Sequence, residues 1–121
     1  MAAKDKFHDA TGKVERYRNC VQEILEKIGS YKSIPEEIEG EIIIDRQRDH
    51  YLLVNVGWQE QRRAYGSSIH IDIKDGKIWV QRDLTDFGIV ERLLEQGIPK
   101  EDIVLAFHPP YKRQLLDFAV A

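Results

Sequence analysis

From Lys13 to Ile28 the apolar residues Val14, Tyr17, Val21, Ile24, Leu25 and Ile28 recur at i, i+3, i+4 and i+7 spacing, which gathers them on one stripe of an α-helix. Glu23 and Lys27 add an i, i+4 pair on the outer side, and Gly29 stands just past the last apolar position, where a C′ glycine belongs. Beyond the acidic connector Ser30–Gly40, with its Pro35, the apolar period shortens to two. Ile42–Ile44, Tyr51–Trp58, Ser68–Ile73 and Lys77–Val80 are rich in β-branched and aromatic residues and are parted by polar or glycine-containing breaks. Breaks this short leave no room for crossover helices, so the strands are expected to form an antiparallel meander. The expected fold class is α+β: an antiparallel β-sheet of about four to six strands with a meander core, packed with an N-terminal helix and a second helix near residues 86–96.

Asp75-Gly76 is the dipeptide of a two-residue type I′ hairpin, and it sets a register. Lys74 faces Lys77, Ile73 faces Ile78, Asp72 faces Trp79, Ile71 faces Val80 and His70 faces Gln81. The core face is then Ile71, Ile73, Ile78 and Val80. The opposite face carries His70, Asp72 and Gln81 around one large indole, Trp79, and calls for something to cover it. The strand from His50 to Trp58 puts Leu52, Val54, Val56 and Trp58 on one side and Tyr51, Leu53 and Asn55 on the other, as expected of a strand with neighbours on both edges. Thr85 or Asp86 is placed to cap the second helix, whose stripe is Phe87, Val90, Leu93 and Leu94 and whose end is marked by Gly97 and Pro99. Ile103–Phe107 reads as a further short strand. His108-Pro109-Pro110-Tyr111 is extended, and the alternating tail Leu116, Phe118, Val120 is expected to dock on the domain or on a partner.

Length and composition narrow the class. The 121 residues suit a single domain, 1–121, and 42% apolar with 32% charged residues place it among globular proteins. No apolar run approaches membrane-spanning length and the first residues are polar, so a cytoplasmic protein is expected. Cys20 is the only cysteine, which excludes an intrachain disulfide or a multi-cysteine zinc site. With no basic residue beside it on its helix face, Cys20 is read as packing. A net charge of −3 argues against broad adhesion to nucleic acid.

Candidate chemistry is sparse. Gly66-Ser67-Ser68 lacks the spacing of a nucleophile elbow, and neither a phosphate-binding loop nor an H-E-x-x-H motif is present. His70 and Asp72 share a strand face at i, i+2, with His50 or Asp49 as a remote third ligand; a hydrogen-bonded surface pair outweighs a metal site on this spacing. Asp72-Ile73-Lys74 matches half of a metal-dependent nuclease motif, but no second acidic residue can be assigned to it. Arg46, Arg48, Arg62 and Arg63 flank the strand containing Trp58 and are candidates for contacting nucleic acid, although interspersed Asp45, Asp49 and Glu60 favour a charge-paired rim. His108, Tyr111, Lys112 and Arg113 surround a rigid Pro-Pro step that suits protein recognition. Together with His70, Asp72 and Trp79, the residues His108, Tyr111 and Arg113 form the candidate partner-binding set. No catalytic residue, metal ligand or cofactor is assigned.

Three long stretches resemble the XisI family, the fdxN-element excision controlling factors: Arg48-Asp-His-Tyr-Leu-Leu-Val-Asn-Val-Gly-Trp-Gln59, His70-Ile-Asp-Ile-Lys-Asp-Gly-Lys-Ile-Trp-Val-Gln81, and Gly97-Ile-Pro-Lys-Glu-Asp-Ile-Val-Leu-Ala-Phe-His-Pro-Pro-Tyr-Lys-Arg113. The resemblance spans nearly the whole chain and departs mainly in the polar N-terminal lead and the connector. It implies a cyanobacterial cytosolic protein that helps a site-specific recombinase remove a DNA element during heterocyst development, together with a companion, XisH. The implied role is a non-enzymatic accessory factor acting by association with an XisH-like protein or the recombinase complex. A DNA-binding module and, behind it, a metal-dependent hydrolase using Asp72 and Lys74 are the alternatives. Self-association is also expected, because the apolar patches exceed what one small domain easily hides.

Overall fold

The computed structural model describes residues 2–31 and 37–121, with side chains from residue 12 onward. Helix α1 (Ala2–Gly29) begins earlier than the apolar stripe that predicts it. Residues 32–36 of the expected connector lie outside the described residues, and its last positions already belong to β1 (Ile38–Asp45). The other strands are β2 (His50–Gln59), β3 (Arg62–Lys74), β4 (Lys77–Asp83) and β5 (Ile103–Leu105). They lie in sequence order in one five-stranded sheet. β1 to β4 form the expected antiparallel meander, whereas β5 runs parallel to β4. The sheet is therefore mixed, because α2 (Ile89–Glu95) intervenes between β4 and β5 and carries the chain back to the level at which β4 begins.

The β3–β4 hairpin follows from its turn. Asp75 and Gly76 take φ of 55° and 73°, the left-handed pair of a type I′ turn. Lys74↔Lys77, Ile73↔Ile78, Asp72↔Trp79 and Ile71↔Val80 pair as the dipeptide dictates. One step further the ladder slips between His70 and Ile71, so His70 lies opposite Arg82 instead of the expected Gln81. A second irregularity between Leu53 and Val54 offsets β2 against β3. Both are bulges, where an extra residue increases strand twist.

The alternation sends Tyr51, Leu53, Ile69, Ile71, Ile73, Ile78 and Val80 to one face, where they meet Tyr17, Cys20, Val21, Ile24, Leu25 and Ile28 of α1. Ile89 and Leu93 of α2, with Ile98, Ile103 and Leu105, complete the core. Burial pushes the Cys20 thiol up to about 11, in keeping with a packing role. Gly29 is the last helical residue and not a left-handed C′ residue; a Cβ there would come within 2.5 Å of Ile42 Cδ1, so the glycine admits the close approach of β1. Helix α2 starts later than expected, after Gly88 at φ 69°. Neither Thr85 nor Asp86 caps it. Asp83 does the work of the entry loop instead, accepting from the Thr85 amide at 2.9 Å and, more distantly, from the Ile89 amide at 3.4 Å.

Polar ties hold α1 over the sheet. Arg18 makes a two-pronged pair with Asp49, Nε to Oδ1 at 2.8 Å and Nη2 to Oδ2 at 3.1 Å, and the Tyr51 hydroxyl donates to the same Oδ1 at 2.9 Å. Burial works against ionisation of Asp49, but the Arg18 guanidinium and the Tyr51 hydroxyl prevail and hold its carboxyl below the usual range. Farther up the helix, Tyr17 donates to Asp102 at the entrance to β5. Burial and that carboxylate raise the Tyr17 pKa.

Two stability predictions follow from these contacts. Asp49→Asn keeps a residue tolerant of Asp49's positive φ of 62° but removes the charge, and should cost about 2 kcal/mol in denaturant unfolding at neutral pH. Because the folded pKa of Asp49 is depressed, its contribution is present above the unfolded value of about 3.9 and is lost as pH falls through the folded value. The wild type should therefore lose stability more steeply than D49N below about pH 4. Gly76→Ala adds a Cβ whose nearest neighbour is the flexible Lys13 Nζ at 3.5 Å, so its expected cost of about 1 kcal/mol arises from the left-handed backbone alone.

Candidate functional site

With one face of the sheet committed to α1, every second residue of β2, β3 and β4 points the other way. Three of these meet. His50 opens β2 directly opposite Asp72 on β3, and His70 lies two residues before Asp72 on the same face. His50 Nδ1 and His70 Nε2 both donate to Asp72 Oδ1, at 2.7 and 2.8 Å, and Gln81 Nε2 donates to Oδ2 at 3.2 Å. The two rings stand edge to face with centroids 6.4 Å apart. One ligand atom from each of His50, His70 and Asp72 lies within 4.8 Å of the others. The Asp72 carboxylate hydrogen-bonded to His50 raises the imidazole's pKa above its ordinary value. Of the two remote third ligands that the sequence offers, His50 joins the pair and Asp49 is taken by Arg18.

Trp79, opposite Asp72 on β4, is half-buried by its own chain. Its Nε1 donates to the Lys74 carbonyl at 3.2 Å, the Lys74 ammonium lies 4.0 Å from the ring centroid, and the Arg113 guanidinium lies 5.8 Å from it. Arg113, at the end of the short helix α3 (Pro110–Arg113), is held by the carbonyls of His108 at 2.9 Å and Val120 at 3.1 Å. The tail beyond it pairs Ala119 alongside Val104. The His108–Arg113 segment thus serves partly as cover for Trp79. Pro109, Pro110, Tyr111 and Lys112 remain exposed, while His108 packs against Phe107 with centroids 4.5 Å apart. Lys74 is spent on the Trp79 ring, which removes the lysine from the half-motif with Asp72.

The four arginines do not converge. Arg46 and Arg48 sit in the β1–β2 turn and Arg62 and Arg63 at the far end of the 10-residue strand β2, about 30 Å away at the usual rise per residue. Arg46 clasps α1 through Glu15 at 2.6 Å, Gln22 at 2.9 Å and Asn19 at 2.9 Å, and Arg48 pairs with Asp45 at 3.4 Å. Arg63 lies over two aromatic rings, 5.4 Å from the Trp58 centroid and 5.6 Å from that of Tyr65.

Along the outer face of β1 to β3 lie apolar residues whose neighbours the sequence does not reveal. Ile43 pairs with Leu52, Val56 with Tyr65 and Trp58 with Arg63, all on the face away from α1. Ile43, Trp58 and Tyr65 are 47%, 55% and 73% exposed, so the row is open to solvent. The alternation Leu52, Val54, Val56, Trp58 was the available signal; what it could not show was which residues of β1 and β3 stand beside it. On the helix side a cleft of about 320 Å³ is lined by Ile28, Tyr31, Leu53, Leu84, Phe87 and their neighbours, with Asp86 as its carboxylate and no imidazole among its described lining residues.

The XisI protein family's sequence model matches residues 11–120. Among solved structures, a XisI-like protein from Anabaena variabilis is 44% identical, with the match covering 89% of this chain and 99% of that one at a TM-score of 0.84. The fdxN element excision controlling factor XisI from the same organism is 41% identical over 90% of this chain and 99% of its own, at a TM-score of 0.79. No curated protein matches the chain. The family model over most of the chain and this likeness to two solved structures lead to one conclusion: the chain belongs to the XisI family.

Proposed function

We propose that the chain is a non-catalytic accessory factor that controls site-specific excision of a DNA element of the fdxN type, and that it acts by docking a protein partner, an XisH-like protein, on the sheet face opposite α1. In this reading a site-specific recombinase supplies the strand chemistry, and the process is the chromosomal rearrangement of heterocyst development. The observation that carries the docking is the open pair Trp58 and Tyr65 beside Arg63, with exposed Ile43 farther along the same face, on a sheet held by its hydrogen-bonded ladders. Large aromatic side chains bury much area at little entropic cost, and together with arginine they are enriched in the cores of protein interfaces. The controlling-factor name of the 41% identical neighbour supports the same direction. A DNA groove built from Arg46, Arg48, Arg62 and Arg63 finds less support, since Arg46 is tied to α1 and the remaining three divide between opposite ends of β2.

Trp58 is a cleaner probe than Trp79, because replacing Trp79 would also release Lys74 and Arg113. Trp58→Glu combined with Tyr65→Ser should lower co-purification of an XisH-like protein at least tenfold, about 1.4 kcal/mol, while circular dichroism and the melting temperature remain those of the wild type. Undiminished capture would remove this face from the account. A gel shift by the chain alone on element-end DNA, weakening steeply with salt, would favour the DNA-binding reading instead.

A further inference from the structure

We infer that His50, His70 and Asp72 form a binding site for a divalent transition-metal ion of the zinc class, with a coordination position open to solvent. The inference goes beyond the docking role and does not rest on it. Three donors of the right type are gathered by backbone pairing instead of by flexible loops: His50 and Asp72 are a direct cross-strand pair, and His70 and Asp72 are i, i+2 neighbours on one strand. One ligand atom of each lies within 4.8 Å of the others. A tetrahedral ion bound at about 2.0–2.2 Å would set its donors about 3.3 Å apart. The two nitrogen–oxygen contacts of 2.7 and 2.8 Å need to open by about half an ångström, and the two imidazole nitrogens, within 4.8 Å of each other, to settle at that same spacing, which side-chain rotations supply.

The surroundings suit a cation. Among the described residues Asp72 has no lysine or arginine within ion-pair reach, and its ionic partners are the two imidazoles alone. Lys74, the nearest ammonium along the strand, lies over Trp79. Gln81 holds the second carboxylate oxygen, the kind of outer support that fixes a ligating carboxylate. Binding requires each ring to present a lone pair where it now donates a proton. For a neutral imidazole this is a tautomer change, with the proton leaving the ligating nitrogen for solvent and another taken up on the opposite nitrogen. The His50 ring, half exposed, leaves the outer side of the triad to water. Two imidazoles and one carboxylate select Zn²⁺, Co²⁺ or Ni²⁺ over Mg²⁺ or Ca²⁺, which prefer all-oxygen shells.

The test is titration of the full chain with Zn²⁺ alone by calorimetry, and with Co²⁺ alone by visible absorption. The expected result is one ion per chain at micromolar or tighter affinity, with Co²⁺ giving the d–d bands of an imidazole-ligated ion. His70→Gln and Asp72→Asn should each weaken binding at least tenfold, Gln81→Ala should weaken it less, and His108→Gln should leave it unchanged. The altered side chains lie outside the core, and a melting curve of each variant verifies folding. The inference is overturned if wild-type protein shows no saturable site below about 1 mM, or if the His70 and Asp72 variants bind as the wild type does.

Discussion

The seating of α1 on one face of the sheet is the constraint from which the rest follows. Once Tyr17, Val21, Leu25 and Ile28 bury against Tyr51, Ile69, Ile71 and Ile78, the period-two geometry of a strand leaves no choice about the other side: His50, His70, Asp72, Trp79 and Gln81 must face outward together. The Arg18–Asp49–Tyr51 junction and the Tyr17–Asp102 bond fix where along the sheet the helix sits. Sliding any strand by a single residue would exchange the two faces, exposing isoleucines and burying imidazoles and a carboxylate, at a cost the fold could not bear.

The outer face divides into two ends with different chemistry. At the β1–β2 turn end, a carboxylate receives two imidazole donors and is steadied by a glutamine from the next strand. At the β2–β3 turn end, Trp58 and Tyr65 stand open beside Arg63, while Ile43 lies farther along the same face, opposite Leu52. The C-terminal segment separates these surfaces from the β5 edge: Ala119 pairs with Val104 there, and Arg113 reaches over Trp79. A partner spanning the face would meet a rigid apolar row and a polar, ligand-like cluster within one docking event.

Much of this is written in the sequence, and the parts that are not have identifiable causes. The Asp75-Gly76 turn gives the β3–β4 register as far as Ile71 and Val80 because local backbone sterics specify it. It fails at His70, since a bulge leaves no mark on hydrophobic alternation. The β2–β3 turn passes through Glu60 at φ 58°, a residue that gives no turn signal, so the pairing of His50 with Asp72 and of Val56 with Tyr65 could not be foreseen. The first helix was legible from its stripe; the start of α2 was not, because Asp83, outside the helix, organises its entry. Arg46 reads as a surface cation until the fold brings Glu15, Asn19 and Gln22 around it. Resemblance to the XisI family pointed to the family itself from long continuous stretches, a kind of information that periodicity alone does not hold.

The central claim, that the face away from α1 is where this protein meets its partner, is tested most directly by hydrogen exchange of the chain alone and in complex with an XisH-like protein. The account predicts slowed exchange confined to the outward-facing neighbourhoods of β1, β2 and β3 around Ile43, Trp58 and Tyr65, with the amides of α1 unchanged. Protection centred on the solvent side of α1, with the sheet unaffected, would contradict it.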